Sequence, residues 1–253
     1  MNFQQDKLPL TAAHAALKVP QGFYYLDARD TAKVLTDLRG NPPDASHSEL
    51  GMIFPANLSP ENPTAWGAIV SYSDDGYVSD ADAESTDYDA VLSQLKTETI
   101  EGNAEREKQG YEPITLVGWA EPPRYDKSLH ALHWARDLVF GKDMNAPHTL
   151  NYQLRILGRE GVLQVNFVAG MDQLQDIKSN IASVAGLVSY DQDKKYEDHV
   201  EGDKIAAYGL AGLIATAAGA KIAAKIGFLA LALAFLKKGG IILAVAAGAI
   251  FRP

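Results

Sequence analysis

The chain has 253 residues, with 23 lysines and arginines against 32 aspartates and glutamates, so its formal net charge at pH 7 is −9. It contains no cysteine, which excludes disulfides, thiolate metal sites, iron–sulfur clusters and cysteine nucleophiles. An acidic chain repels phosphate backbones, so the composition argues against a nucleic-acid partner.

The charge is unevenly distributed along the chain. Residues 204–253 contain six basic residues and no acid, so they carry +6 and leave −15 on residues 1–203. A basic and apolar C-terminal tail suits anionic lipid head groups. The first ten residues, MNFQQDKLPL, lack the basic region and the apolar core of a signal peptide. We therefore expect either insertion by the tail or a start that follows a removed signal.

The N-terminal part predicts short extended segments followed by a helix. Residues 17–26 indicate strands around a Pro-Gln-Gly turn. Residues 27–43 predict a helix in which Asp27 is the N-cap, while Gly40 and two prolines end it. The apolar face of this helix consists of Val34, Leu35 and Leu38.

Two strands and a long helix are expected next. The strands lie at 50–54 and 66–72, where the sequence reads LGMIF and WGAIVSY. The helix runs from about residue 87 to residue 109, and Gly110 ends it. Its buried stripe consists of Val91, Leu92, Leu95 and Ile100.

The clearest pattern is a β-hairpin within residues 150–169. Apolar and polar residues alternate in LNYQLRI and VLQVNFV, and the connection 158–161 begins and ends with glycine. This alternation predicts a hairpin with one buried face. Segments 114–120 and 130–140 predict two more strands, and residues 172–188 repeat apolar side chains at helical spacing.

These elements predict three regions. Residues 1–190 are expected to form an acidic α+β domain in which helices cover an antiparallel sheet. Residues 191–204 are polar and charged, which indicates a linker. Residues 205–253 are an apolar tail rich in alanine and glycine.

An acidic segment at 73–85 is the first candidate site. A calcium loop needs alternating carboxylates, a glycine at its sixth position and a glutamate at its twelfth. Asp80, Asp82 and Glu84 alternate in the required way. Ser85 stands where glycine belongs, and no glutamate follows at the twelfth position. The pattern therefore favours an Asp-Gly turn and an acidic helix start.

The histidines provide the second candidate site. His130 and His133 have the spacing of a metal-binding pair only if their segment is helical. Because residues 130–140 predict a strand, odd spacing places the two side chains on opposite faces. The sequence contains no phosphate-binding loop and no serine-nucleophile elbow. We therefore predict no catalytic residue, no metal site and no cofactor.

The segment 119–126, WAEPPRYD, is a candidate surface for a protein partner. In that interpretation a rigid Pro-Pro loop would present Trp119, Arg124 and Tyr125. The simpler interpretation is a stiff turn between two strands, and the pattern favours it.

The tail predicts a membrane-spanning helix, which we favour over the alternative of a buried helix of the domain. Residues 205–220 carry no charge and would form a helix of about 24 Å, so extension to residue 224 approaches the ~30 Å hydrocarbon layer. Small residues at four-residue spacing allow helices to associate closely in lipid. One such row holds Ala207, Ala211, Ala215 and Gly219, and its neighbour holds Gly212, Thr216, Ala220 and Ala224. We expect a homo-oligomer formed through these rows.

The rest of the tail consists of two apolar runs, 226–236 and 241–251, of eleven residues each, which are too short to span a bilayer. One interpretation is a single span at 205–224 followed by segments in the membrane interface. The other is a helical hairpin that carries lysines into the membrane, and we favour the first. The lysines expected to contact lipid head groups are Lys221, Lys225, Lys237 and Lys238. Basic residues after the span place the domain outside the cytoplasm.

Several segments resemble a known family. In order, they are YLDARDTAKVLTDLRGNPPD, LGMIFP, WGAIVSYSDDGYVSDADAESTDYD, GYEPITLVGWAEPPRYDK, HTLNYQLRILGREGVLQVNFVAGMD and YGLAGLIATAAGAK. They resemble the membrane-anchored bacterial proteins that share domain of unknown function 2167. This resemblance implies no activity and no catalytic residues, and it implies a signal peptide that this sequence lacks. The order of strands and helices is also similar to the PsbP-like α/β fold, which is used mainly for binding.

Three functions are expected in order of preference. The first is a membrane-anchored binding or scaffolding protein of the bacterial cytoplasmic membrane, with a protein partner on its acidic domain. The second is a membrane-tethered, hydrolase-like enzyme that uses carboxylates of residues 74–84 or the pair His130 and His133. The third is an oligomeric pore in which Lys221 and Lys225 face a polar lumen.

Overall fold

A computed structural model of the protein describes residues 1–39, 49–62, 65–108 and 110–216. Within these ranges the chain forms ten β-strands and four α-helices. The strands are β1 (Asp6–Leu10), β2 (Ala15–Val19), β3 (Phe23–Asp27), β4 (Glu49–Pro55), β5 (Gly67–Ser73), β6 (Ile114–Asp126), β7 (Ala131–Phe140), β8 (Thr149–Leu157), β9 (Val162–Gly170) and β10 (Val188–Tyr190). The helices are α1 (Ala28–Lys33), α2 (Tyr88–Lys108), α3 (Leu174–Ala185) and α4 (Leu210–Thr216).

The strands form two antiparallel sheets. The larger sheet has seven strands in the order β3-β4-β5-β9-β8-β7-β6, and the smaller has the order β1-β2-β10. The predicted α+β class, with an antiparallel sheet and covering helices, is confirmed.

The larger sheet is packed on both faces. One face, here called the α3 face, is covered by α3 and the smaller sheet and holds the largest apolar cluster. The opposite face, here called the α4 face, is covered by α1 at its β3–β4 end and by α2 and α4 at its β6–β7 end. Fully buried side chains mark both faces: Tyr152, Leu154 and Phe167 on the α3 face, and Leu95, Leu132 and Trp134 on the α4 face.

The start of α1 follows the predicted capping pattern. The Asp27 side chain accepts a hydrogen bond from Asp30 N at 2.9 Å. The helix continues into a π-helical turn, Val34–Leu38, whose wider hydrogen bonding rotates later side chains away from an α-helical face. Leu38 is 41% exposed, so its predicted burial is wrong. Gly40, the predicted end of the helix, lies outside the described residues.

Helix α2 lies within one residue of its predicted bounds. Its buried and partly buried stripe is Val91, Leu92 and Leu95. Ile100 is 70% exposed, so its predicted burial is wrong. Polar contacts fix the second half of the helix instead, because the Asn103 amide bonds to both Ile114 N and Ile114 O at 2.8 Å.

The predicted hairpin is formed by β8 and β9, which pair along nine consecutive residues. Its apolar side lies on the α3 face, as expected. The polar side is buried as well: Asn151, Gln153 and Arg155 are 7%, 2% and 3% exposed. The prediction of a single buried face is therefore wrong. Parts of the chain that are distant in sequence, α2 and α4, pack on the α4 face.

The C-terminal boundary of the domain also differs from its predicted place. Residues 191–204 were expected to be a linker, and residues 205–216 the start of a membrane tail. Both parts contribute buried side chains to the α4 face: Tyr196, Ala206, Leu210, Leu213 and Ile214. The described domain therefore continues to residue 216, because these apolar side chains complete the cluster around Trp134.

The small-residue rows of the tail are only partly within the described residues. Ala207 is exposed and precedes α4, so the predicted helix does not include it. Ala215 is 6% exposed, whereas Ala211, Gly212 and Thr216 are partly exposed. Gly219, Ala220, Lys221, Lys225, Lys237 and Lys238 lie outside the described residues. Among the helices that are described, none has both the length and the apolar character needed to cross a bilayer.

Candidate functional site

The acidic segment 74–84, here called the acidic loop, binds residues 196–216, here called the C-terminal segment. Asp82 accepts from Leu210 N at 3.0 Å through Oδ1 and from Ala211 N at 3.2 Å through Oδ2. These are backbone donors of the first turn of α4, which would otherwise have no partner, so Asp82 acts as a helix cap supplied by a distant loop.

Other parts of the acidic loop hold the same segment. Asp75 accepts from the Tyr208 hydroxyl at 2.5 Å, and Asp74 accepts from Lys204 Nζ at 3.3 Å. Gly76 has a φ of +97°, and a Cβ there would lie 2.5 Å from Lys204 O. Residues 74–76 are not assigned as a turn, so the predicted Asp-Gly turn is not observed; the positive φ of Gly76 lets the two backbones approach closely.

Asp80 lies between two tyrosines. Its carboxylate accepts from the Tyr125 hydroxyl at 2.8 Å, and its backbone N–H donates to the Tyr196 hydroxyl at 3.1 Å. The bond to Asp80 and burial both raise the pKa of Tyr125, with burial the larger cause. Among the described residues, no group of three or more histidines and acids is placed to hold a metal ion. Four carboxylates of the loop accept hydrogen bonds from other parts of the domain: Asp74, Asp75, Asp80 and Asp82.

A stack of four rings continues this contact. The ring centroids of His130 and Tyr196 are 4.4 Å apart, those of Tyr196 and Tyr77 4.6 Å, and those of Tyr77 and His199 3.9 Å. The stack joins the start of β7 to the acidic loop and the C-terminal segment. Such ring contacts stabilise the packing beyond the area they bury.

An ion pair ends the stack. Arg159 donates to both carboxylate oxygens of Asp203, at 2.8 and 2.9 Å, and His199 lies 3.1 Å from the same carboxylate. The two bonds from Arg159 hold the pKa of Asp203 well below its usual range. Bidentate pairs of this kind are more specific in geometry than single contacts. They fix residues that the sequence suggested were a linker.

His133 lies on the opposite face of the sheet from His130. Its Nδ1 is 2.9 Å from the Tyr152 hydroxyl, and burial lowers the pKa of His133 below its ordinary value. Nearby, Lys178 Nζ donates to Glu121 at 2.5 Å. The two histidines therefore lie on opposite faces of the sheet, as their odd spacing predicted.

The segment around the two prolines is not the loop that the sequence suggested. It belongs to β6, whose pairing with β7 is irregular between Trp119 and Arg124. Because β6 is an edge strand, prolines are tolerated there without loss of a central hydrogen bond. Trp119 donates to Tyr88 O at 3.3 Å and Tyr125 bonds to Asp80, so both rings face inward. Of the three side chains proposed as a partner surface, Arg124 is exposed, and Trp119 and Tyr125 are partly buried.

The sequence did not predict a polar network that lies on the α4 face, here called the polar row. It consists of Arg136, Asn151, Gln153, Arg155 and Asn166. The only sequence signal was the alternation in NYQLR and QVNF, which is equally typical of a solvent-facing strand. These residues meet because the register aligns Arg136 with Asn151 and Gln153 with Asn166.

Hydrogen bonds fix the direction of the amides in the polar row. Arg136 donates to Asn151 Oδ1 from Nε at 3.2 Å and from Nη2 at 2.7 Å, so this oxygen must face the guanidinium. Asn151 Nδ2 then donates to Asn166 Oδ1 at 2.7 Å. Gln153 Nε2 donates to both of these amide oxygens, at 2.7 and 2.6 Å. Gln153 Oε1 therefore points away from them, and this buried atom has no partner among the described residues.

Arg155 is the most unusual member of the polar row. It is 3% exposed, and its guanidinium lies 5.3 Å from the centroid of the Trp134 ring. The only hydrogen bond between Arg155 and another described residue runs from Nη1 to Leu154 O at 3.2 Å. No described carboxylate forms an ion pair with it. Burial, and then the charge of Arg136, lower the pKa of Arg155 to about 9, so it keeps its proton at neutral pH.

Comparison with known families identifies the chain. The model of the family "Protein of unknown function (DUF2167)" matches residues 2–248. The chain belongs to this family. The resemblance found in the sequence is therefore confirmed. Among curated proteins, no sequence matches this DUF2167 chain.

Solved structures give distant likenesses to the DUF2167 domain. Cyanobacterial PsbP (CyanoP) from Synechocystis sp. PCC 6803 is 15% identical with a TM-score of 0.40, and the match covers 74% of this chain and 92% of that one. The Ran-binding protein Mog1p from Saccharomyces cerevisiae is 12% identical with a TM-score of 0.34, covering 75% and 96% of the two chains. At these scores the likeness transfers no function.

Proposed function

We propose that the protein is a membrane-anchored binding module of the bacterial cytoplasmic membrane. Its α+β domain lies outside the cytoplasm, and its tail holds the domain at the membrane and brings copies together. The main support for this proposal is that the C-terminal segment packs on the domain. Residues 217–253 therefore follow directly from a helix that is fixed to the domain. In this proposal no flexible linker separates the binding domain from the anchor.

The composition of the remaining tail supports the anchor. Residues 217–253 contain five basic residues and no acid, and the basic residues flank the two apolar runs 226–236 and 241–251. Lysines at the ends of apolar helices reach the head groups, and each adds attraction to an anionic lipid surface. Because residues 210–216 are packed on the domain, the part of the tail that we propose to bind the membrane begins after residue 216 rather than at residue 205.

Flotation with lipid vesicles tests the anchor. We expect the full chain to float with the vesicles and to remain bound after an alkaline wash. Leu231→Lys with Leu233→Lys should abolish this, because two charges at the centre of an apolar run are costly in lipid. The matched control is Ile100→Lys with Val200→Lys, which adds the same charges at positions that are 70% and 51% exposed. A native chain that stays at the bottom of the gradient would rule out the anchor.

The absence of cysteine gives a clean test of orientation. Ile100→Cys places one thiol at an exposed position of α2 in a chain that has no other. In intact bacterial cells with a permeabilised outer layer, a membrane-impermeant maleimide should label this thiol. Labelling only after lysis would contradict an extracytoplasmic domain.

Self-association needs variants chosen with the structure in view. Gly212→Leu is unsuitable, because a Cβ there would lie 2.5 Å from Cβ of Tyr208 within the domain. Gly219→Leu and Ala220→Leu avoid the described contacts. We expect light scattering in detergent to give an oligomer for the native chain and a smaller species for these variants. An unchanged mass would remove the small-residue rows from the proposal.

The membrane-tethered enzyme has no observation in its favour among the described residues. Carboxylates of the acidic loop accept hydrogen bonds from the C-terminal segment, and His130 and His133 lie on opposite faces. The proposed pore depends on Lys221 and Lys225, which lie outside the described residues, so it stays a prediction. Ion flux that disappears on Lys221→Leu is the result it requires.

A further inference from the structure

The centre of the α4 face is polar and partly open. The strand register aligns Ile69 with Asn166 and Ser71 with Gln164, next to the buried part of the polar row. Val168, on the same face, is 44% exposed. The side chains that form this surface, here called the trough, are Ile69, Ser71, Gln164, Asn166 and Val168. The trough lies between the apolar cluster under α1 and the one under α2 and α4.

Arg155 lies at the buried end of the trough, where Gln164 is its cross-strand neighbour. A guanidinium removed from water is strongly destabilising unless an anion or a full set of acceptors replaces the water. Arg155 has one hydrogen-bond acceptor among the described residues and no carboxylate. Tyr208 acts to raise the pKa of Arg155, but its hydroxyl donates to Asp75. The site therefore holds a positive charge that has no anionic partner among the described residues.

Gln153 adds a second requirement. Gln153 and Arg155 are two residues apart on one strand, so both side chains point to the same face about 7 Å apart. The amide network turns Gln153 Oε1 away from its neighbours and leaves it as an acceptor without a partner in the part of the chain that the structure describes. A ligand that satisfies both residues must carry an anionic group and, close to it, a hydrogen-bond donor.

We propose that the trough binds a small organic carboxylate that has a hydroxyl or ammonium group next to the carboxylate. Arg155 binds the carboxylate, Gln153 Oε1 accepts from the neighbouring donor, and Asn166 and Gln164 line the entrance. This inference names the ligand class for the proposed binding role, and it does not depend on the membrane anchor.

A carboxylate suits this site better than phosphate for two reasons. The carboxylate matches the planar fork of one guanidinium. The charge of −15 on residues 1–203 opposes a doubly charged anion more than a singly charged one. The neutral amides of the polar row add direction without adding positive charge.

The first test uses the full chain in detergent with glycolate, the smallest carboxylate that has a neighbouring hydroxyl. Sodium acetate, sodium phosphate and sodium chloride at equal ionic strength are the comparison salts. We expect glycolate to raise the unfolding temperature more than acetate, and acetate more than chloride. A response to phosphate alone would overturn the carboxylate class, and no response beyond that of chloride would overturn the site.

Two variants assign the response to residues. Arg155→Met should weaken glycolate binding at least about tenfold by calorimetry, because it removes a charge-assisted hydrogen bond. Arg124→Met removes the same charge from an exposed side chain and should leave binding unchanged. Glycolate binding that survives in Arg155→Met would overturn the proposal.

The unfolding temperature of Arg155→Met without ligand distinguishes a ligand-binding role of Arg155 from a structural role. If Arg155 is kept for a ligand, Arg155→Met without ligand should unfold at the same temperature as the native chain or higher. A marked drop would mean that Arg155 has a structural role and would overturn the proposal.

Gln153→Met provides a test that does not remove the charge. This variant should bind acetate and glycolate equally, because only the donor contact is lost. A preference for glycolate that persists in this variant would contradict the assigned role of Gln153.

The anchor and the ligand site can fail separately. If the native chain floats with vesicles but binds neither anion, the ligand site is refuted and the membrane anchor is not. If the native chain binds glycolate but does not float with vesicles, only the proposed membrane anchor is refuted.

Discussion

The acidic loop and the polar row are both rich in polar groups, but they differ in whether those groups have partners. Asp75, Asp80 and Asp82 each accept a hydrogen bond from another part of the domain. Arg155, on the same face of the sheet, has one acceptor and no anion among the described residues. A polar group with all its partners stabilises the fold, whereas a buried group without them destabilises it. The difference directs the search for a ligand to Arg155 and away from the loop.

The largest effect is expected where the C-terminal segment enters the core. Leu213→Ala should lower the free energy of unfolding by about 2–5 kcal/mol, because Leu213 is 1% exposed and its loss leaves a cavity beside α2. Chemical denaturation of the full chain in detergent measures this. Leu129→Ala, at a position that is 42% exposed, is the control and should change little. Equal effects of the two substitutions would place α4 outside the domain.

A smaller loss is expected in the acidic loop. Asp82→Ala should lower stability by about 1–2 kcal/mol, as the loss of a helix cap does. Glu84→Ala, at an exposed position two residues away, should stay within about 0.5 kcal/mol of the native value. If the two variants behave alike in urea denaturation, the loop does not hold the segment.

The pH dependence of stability tests whether the ion pair between Arg159 and Asp203 also holds the C-terminal segment on the domain. The bonds from Arg159 lower the folded-state pKa of Asp203, so its contribution is fully present above the unfolded value of about 3.9. That contribution is lost as the pH falls through the folded pKa. Asp203→Asn should therefore be less stable than the native chain at pH 7 and lose less stability on acidification below about pH 4. Asp191→Asn, at an exposed position, is the control for removing one carboxylate. Parallel acid profiles for the native chain and Asp203→Asn would contradict the role of the pair.

Local patterns predicted much of the fold because they depend on neighbouring residues. The Asp27 cap, the bounds of α2 and the hairpin of β8 and β9 follow from capping, periodicity and turn chemistry. The histidine spacing likewise predicted opposite faces for His130 and His133, because alternation along a strand is a local property.

The errors arose where distant contacts decide the outcome. An apolar stretch rich in alanine and glycine has the same composition whether lipid or protein covers it, so the composition of residues 205–216 equally predicts a membrane segment. Alternation in β8 predicted that Gln153 and Arg155 face solvent, but α2 and α4 pack on their face of the sheet. The candidate site was missed for the same reason. Its residues are ordinary in sequence and become unusual only when they are buried.

Paired unfolding of Asp82→Ala and Arg155→Met tests the comparison most directly. Both variants remove one charge from the α4 side of the domain, and both are compared with the native full chain in the same detergent without added anion. We expect Asp82→Ala to lose about 1–2 kcal/mol, and Arg155→Met to match the native stability or exceed it. Comparable destabilisation by both variants would contradict the account, because Arg155 would then be a partner within the fold.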